Sequence, residues 1–153
     1  MRILLLAPEP FYEDRGTPIA VNLLLRVLSE RHEEVDLLTY HRGRAVAHDN
    51  VAIHRIPAIP FIKYIPPGLS LQKLICDVFL FAKAIQLAAR HRYDLVHAVE
   101  ESVFIAMCLK RLFGIPYVYD MDSSLPQQIV EKHPRLAPLS SLLAGFEGWA
   151  VRG

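Results

Sequence analysis

Glycine and cysteine are both scarce in this sequence. It holds 7 glycines and 2 cysteines among 153 residues. The first strand-like run, "RILLLA" (2–7), is followed by one glycine, Gly16. The G-x-G-x-x-G turn that holds a dinucleotide pyrophosphate is therefore missing, and a dinucleotide oxidoreductase fits poorly. Cys76 and Cys108 have no C-x-x-C or C-x-x-H neighbour. They lie in apolar helical patterns and are expected to be buried, reduced thiols of a cytosolic protein. Net charge is also nearly absent. A formal +1 gives no whole-molecule field for nucleic acid or a membrane. "MRILLLAPEP" has one basic residue and an apolar run cut short by proline, so it is no signal peptide. "PFIKYIPPGLSLQKLICDVFLFAKAIQ" is broken by Lys73, Asp77 and Lys83 and does not span a bilayer. No histidine pair has a ligand spacing supported by a carboxylate, so neither a metal nor a cofactor is expected. There is no internal repeat and no low-complexity tract.

What is present is a globular composition, with 52% apolar and 22% charged residues in a length that makes one domain. "RILLLA" is an unbroken apolar run of the kind found in central parallel strands. A helix follows at "TPIAVNLLLRVLSERH", with Thr17 as N-cap and Pro18 at the first helical position. Its inner stripe is expected to be Ile19, Leu23, Leu24, Val27 and Leu28. "EVDLLTY" (34–40) reads as a second strand and "VAIHRIP" (51–57) as a third. Four prolines over 57–68 exclude regular structure there. A long helix is expected over 69–91, with Leu71, Leu74, Ile75, Val78, Ala82 and Ile85 facing in. "DLVHAV" (94–99) is a fourth strand. "EESVFIAMCLKRLFG" is a helix apolar almost all round, expected to be deeply buried and closed by Gly114 and Pro116. "YVYDMD" (117–122) is a fifth strand. A short helix opened by Pro126 and a last helix from Pro138 complete the chain. Alternation of this kind predicts an α/β fold, a Rossmann-like doubly wound parallel sheet with helices on both faces. Ligands of such sheets bind beyond the carboxyl ends of the strands, where strand order reverses.

"MRILLLAPEP", the helix leading into "SERHEEVDLLTYH", then "YDLVHAVEE" and "LKRLFGIPYVYDMD" occur in order. Together they resemble the N-terminal domain of group 1 (family 4) glycosyltransferases of the GT-B fold, over essentially the whole chain. The resemblance implies a retaining transfer in a cleft between two Rossmann-like domains. The second domain holds most of the nucleotide-sugar donor, and the N-terminal half receives a sugar, glycan or lipid-linked acceptor. Residues 1–153 would be a single domain, the acceptor-side half, with the donor-binding domain absent from this chain. The stop at Gly153, where another strand is expected, agrees with that. The implied location is cytoplasmic, with peripheral membrane contact left open by Phe61, Ile62, Tyr64 and Ile65.

Candidate site residues follow from both lines. The loop from Pro8 to Gly16 is long for a strand-to-helix connection. Either Arg15, Gly16 and Thr17 meet a phosphate or sugar, as mainly the resemblance implies, or Gly16 merely allows a tight turn before the helix and Arg15 is an exposed arginine. Pro18 removes one backbone donor there. Asp120 and Asp122 share one face of the fifth strand, with Tyr117, Tyr119 and Met121 on the other. These acids either orient or deprotonate an acceptor hydroxyl, with Ser123 as a further contact, or cap the next helix. His97, Glu100 and Glu101 sit at the end of the fourth strand, where the resemblance implies polar residues facing the acceptor. For His97 a satisfied core histidine is the plainer reading, and for the glutamates a helix-start role. Two departures stand out. The family's first loop commonly carries a glycine pair where this chain has Gly16 alone, and Asp122 falls where many relatives carry a histidine. The rival functions are a free-standing, non-catalytic binding module and half of a sugar-nucleotide epimerase.

Overall fold

A computed structural model describes residues 1–14, 16–66 and 70–121, together with Gly145 and Gly148, both helical. Arg15, Asp122, Ser123 and the helix expected at Pro126 lie outside the described residues.

Five strands, β1 (Arg2–Ala7), β2 (Glu34–Thr39), β3 (Val51–Arg55), β4 (Leu95–Val99) and β5 (Tyr117–Asp120), form one parallel sheet in the order β3-β2-β1-β4-β5. The chain winds outward from β1 to β3, then returns past β1 to build β4 and β5. Strand order thus reverses between β1 and β4. The connecting helices are α1 (Gly16–Glu30), α2 (Leu71–Arg90) and α3 (Val103–Phe113), with one 3₁₀ turn (Glu100–Ser102) between β4 and α3.

The helices divide between the two faces. Leu4 and Leu6 share a core with Cys76, Leu80 and Ala84 of α2 and Val103, Ala106 and Leu109 of α3. Ile3, Leu5 and Ala7 share another with Val21 and Leu25 of α1. Cover on both sides is why "RILLLA" is apolar at successive positions rather than at alternate ones. The Rossmann-like fold expected from the sequence is the fold observed.

Expectations about each of the three helices need correction. α1 opens at Gly16, so Thr17 lies inside its first turn rather than capping it. Its buried residues are Pro18, Val21 and Leu25, while Ile19, Leu23 and Val27 are exposed. Of the expected stripe, Leu24 and Leu28 do pack, partly buried, on the core. α1 carries further apolar residues on its outer side, and periodicity alone does not separate the two sets. α2 begins after Ser70, whose Oγ accepts from the backbone N–H of Lys73 (3.1 Å). It buries Cys76, Leu80, Ala84, Leu87 and Ala88 and leaves Leu71, Leu74, Val78 and Ala82 exposed. Ile75 and Ile85 pack on the core as expected, partly buried, but the inner stripe of α2 also includes Lys73 and Asp77, so a search for an apolar face is drawn partly outward. α3 buries Val103, Ile105, Ala106 and Leu109 but is not buried all round: Cys108, Leu112 and Phe113 are exposed, so one of the two thiols expected inside is at the surface.

Elsewhere the reading holds. Gly114 closes α3 in the left-handed region (φ 70°), its N–H donating to Lys110 O at 2.9 Å. Tyr117 and Tyr119 pack on the α2–α3 side of the sheet, and Val118 and Asp120 alternate outward. The proline-rich connector splits by residue, burying Ile62 and Ile65 and exposing Phe61 and Tyr64.

Candidate functional site

A cleft of about 310 Å³ opens where the strand order reverses. Gly16, Thr17 and Pro18 at the start of α1 form one wall, and Ile65 and Pro66 the other. Glu9, Tyr40, Lys73 and Glu100 supply its polar lining beside Pro8 and Pro10. The volume is at the lower end of the roughly 300–1,000 Å³ typical of small-molecule sites.

Each polar wall residue is held by identifiable bonds. The loop after β1 turns back at Glu9, whose N–H donates to Ala7 O (2.8 Å) and whose carbonyl accepts from Thr39 Oγ1 and Tyr40 N. After β4, Ser102 is buried and donates from Oγ to Val99 O (2.7 Å) and to Leu6 O (3.1 Å). It thereby fixes the 3₁₀ turn against the end of β1. Glu100 begins that turn at φ 50°, a left-handed conformation that costs a residue with a Cβ about 1 kcal/mol or more. Its carboxylate lies between two walls of the cleft. Oε1 accepts from Thr17 Oγ1 at 3.4 Å, and Oε2 lies 3.3 Å from Lys73 Nζ.

Lys73 is the centre of charge. Its Nζ also lies 2.5 Å from Glu101 Oε1, and the side chains of all three residues are largely buried. Burial disfavours the ammonium, but the pull of Glu101 and Glu100 is stronger, so its pKa is raised. Burial pushes the Glu101 carboxyl up to about 7, against the opposing pull of Lys73. Asp77, one turn further along α2, is pushed up to about 6 by burial, although Tyr40 Oη donates to its Oδ1 and Lys73 attracts it. The Tyr40 phenol is raised well above its ordinary value by burial and then by Asp77. Behind the lining formed by Lys73 and Glu100, the carboxyls of Glu101 and Asp77 thus sit beside one cation, with pKa values that burial raises.

The structure brings together Gly16, Thr17 and Glu100 in this cleft, with Glu101 behind them through Lys73. His97 and Asp120 are elsewhere. They pair across β4 and β5 on the face occupied by α1, with His97 Nε2 3.5 Å from Asp120 Oδ2. The ring is mostly buried while the carboxylate is half exposed. Tyr40, Lys73 and Asp77 were not marked as site residues by the sequence. Lys73 and Asp77 interrupt an otherwise apolar helix, and that interruption was the available signal. Among the described residues, no group of three or more His, Cys, Asp and Glu is placed to hold a metal ion. None of the described helices is long and apolar enough to cross a membrane.

Comparison with known proteins agrees with this geometry. Among solved structures, sucrose-phosphate synthase from Thermosynechococcus elongatus superposes with a TM-score of 0.64 at 20% identity, over 94% of this chain and 39% of that protein. A UGT transferase from Siraitia grosvenorii, solved in complex with UDP, superposes at 0.51 and 12% identity, over 88% of this chain and 32% of the other. The C-terminal domain of a hydrogenase from Pyrococcus furiosus gives 0.50 at 16% identity, over 78% and 90%. These identities show a shared fold and no more. The chain spans well under half the length of the two transferases. Among curated proteins no significant match is found. The glycosyl transferase 4-like domain family matches residues 15–153, nearly the whole chain. By that match, the chain belongs to the family of glycosyl transferase 4-like domains.

Proposed function

We propose that this chain is the acceptor-side half of a retaining glycosyltransferase that uses a nucleotide sugar, and that the cleft between β1 and β4 receives the acceptor. The single observation that carries the reading is the position of that cleft. It lies at the reversal of strand order in a glycosyl transferase 4-like domain, and polar groups from three separate elements converge on it.

In this reading Thr17 and Glu100 bond to acceptor hydroxyls, and Lys73 holds the Glu100 side chain in place. Glu101 acts through Lys73 as a positioning residue. Arg15 and Gly16 approach the donor phosphates from the start of α1. Asp122 and Ser123, which follow β5 in the chain, orient or deprotonate the attacking hydroxyl, while Asp120, paired with His97 away from the cleft, has a structural role. Catalysis rests on placing two substrates and stabilising the departing diphosphate. A second Rossmann-like domain supplies most donor contacts, so the 153-residue chain alone transfers no sugar. The exposed Phe61 and Tyr64 suit peripheral contact with a membrane that carries a lipid-linked acceptor.

Calorimetric titration with nucleotide sugars tests this. Affinity no tighter than about millimolar is expected from the isolated chain, and micromolar binding would overturn the division of labour. In the two-domain protein, Glu100→Gln should raise the KM for acceptor at least about tenfold while leaving the KM for donor unchanged.

A further inference from the structure

A second cavity, of about 400 Å³, adjoins the cleft and shares Pro10 and Ile65 with it. Its chemistry is the opposite. Arg42, Arg44 and Lys63 line it, with Glu13 and Asp14 as the acids and Tyr12 and Tyr64 as the aromatic wall. Arg44 is committed, with Nη2 2.5 Å from Asp14 Oδ2 and its guanidinium over the Tyr12 ring at 5.2 Å. Arg42 and Lys63 are exposed, and neither has a carboxylate partner among the described residues.

These cations stand on a braced frame. The segment 42–44 pairs with the loop after β1 through Phe11 N to Arg42 O (3.2 Å), Tyr12 N to Arg44 O (3.1 Å) and Arg44 N to Tyr12 O (3.0 Å). Arg55 clamps it from β3, donating to Arg42 O (2.7 Å) and Arg44 O (3.1 Å). Between them Gly43 takes φ 119°, and a Cβ there would lie 2.1 Å from the Phe11 carbonyl oxygen, so only glycine lets the two segments approach. On the opposite wall, buried Ile62 and Ile65 turn Lys63 and Tyr64 outward, and Ile62 O lies 3.2 Å from His41 Nε2. Two exposed cations with no acid partner among the described residues, carried on braced backbone and lining one cavity, offer an anion site.

We infer that this cavity is a subsite for a phosphate or diphosphate ester group carried by the acceptor, with Arg42 and Lys63 as its ligands. Two cations on separate walls suit a tetrahedral anion that presents oxygens in several directions; a planar carboxylate offers fewer. The shared Pro10–Ile65 border lets one molecule place a phosphate here and its hydroxyl-bearing end in the cleft. Only that last step, the identity of the molecule as acceptor, rests on the function proposed above.

Titration of the 153-residue chain with inorganic pyrophosphate at low salt tests the inference. Saturable binding is expected, weakened about tenfold in the Arg42→Ala/Lys63→Ala double variant and further by added salt. The melting temperature of that variant should stay unchanged, since both side chains are exposed. No saturable binding, or equal affinity in the double variant, overturns the subsite. Sedimentation with phosphatidylglycerol vesicles, but not phosphatidylcholine vesicles, lost in the same variant, assigns the phosphate to a lipid. Pyrophosphate binding without vesicle binding assigns it to a soluble ester. Should the two-domain protein prove unable to transfer sugar while pyrophosphate binding still depends on these residues, the acceptor reading falls and the subsite stands.

Discussion

The sheet carries a buried charge cluster at each end, and the two behave in opposite ways. Near the amino ends of the strands, Asp36 of β2 accepts from Arg2 Nη2 (2.9 Å) and Tyr93 Oη (2.8 Å), and its Oδ1 lies 2.8 Å from His54 Nε2. Burial alone would raise its pKa, but the bonds to His54, Tyr93 and Arg2 together prevail and hold it below the usual carboxylate range. At the carboxyl ends, Lys73 serves both Glu100 and Glu101 while Asp77 has Tyr40, and burial prevails for Glu101 and Asp77. A buried carboxylate with donors on every side is structure. Several carboxyls that share one cation beside an open cleft form an environment that a ligand can complete.

The largest effect should come from Lys73→Met, which preserves the length of the stem and removes the charge. At pH 8 it should cost about 3 kcal/mol in urea denaturation, because two buried carboxylates lose their cation. At pH 5 the loss should be markedly smaller, because the freed acids take up protons. Asp36→Ala should cost about 2–3 kcal/mol by stranding the Tyr93 hydroxyl and the partly exposed Arg2. Unlike the first loss, this one should not shrink as pH falls from 8 to 5.5, because Asp36 stays paired with His54 and Arg2 throughout. A loss that shrank in acid at Asp36, or failed to shrink at Lys73, would dissolve the contrast.

The smallest effect concerns the unmutated chain. Glu101 and Asp77 have folded pKa values of about 7 and about 6, above their ordinary values of 4.5 and 3.8. Between about pH 4 and 7 the folded state therefore binds more protons than the unfolded state. The stability these groups contribute is full below their ordinary values and is lost as pH rises through the folded ones. Asp36, shifted downward, contributes the reverse: its stability is present above 3.8 and lost as pH falls through its depressed value. Urea midpoints should therefore decline from pH 5 to 8, and Glu101→Gln should flatten that decline by about 1–2 kcal/mol.

Strand positions were legible because each of the five runs is short, apolar and bounded by turn residues. Helix orientation was not. In α1 three of the five residues expected inside, Ile19, Leu23 and Val27, are on the surface; Leu24 and Leu28 do pack on the core, joined by Val21 and Leu25. In α2 the inward stripe passes through Lys73 and Asp77, which a search for apolar periodicity discards. The acids after β4 were legible as candidates because they follow a strand end directly. Their cation, twenty-seven positions earlier for Glu100, had no local signature. The strap at Gly43 was equally hidden, since nothing near it in sequence shows that Phe11 lies against it.

The sequence by itself determined the alternation of strands and helices, and hence the parallel sheet and the edge at which a ligand site would lie. Local propensity and turn chemistry suffice for that, because each element is specified by neighbours within a few residues. Only the tertiary structure decided which side of each helix faces inward, which acids share Lys73, and that two cavities of contrasting charge meet at Pro10 and Ile65. Those outcomes depend on burial and on pairs far apart along the chain, whose energies exist only once the sheet has assembled.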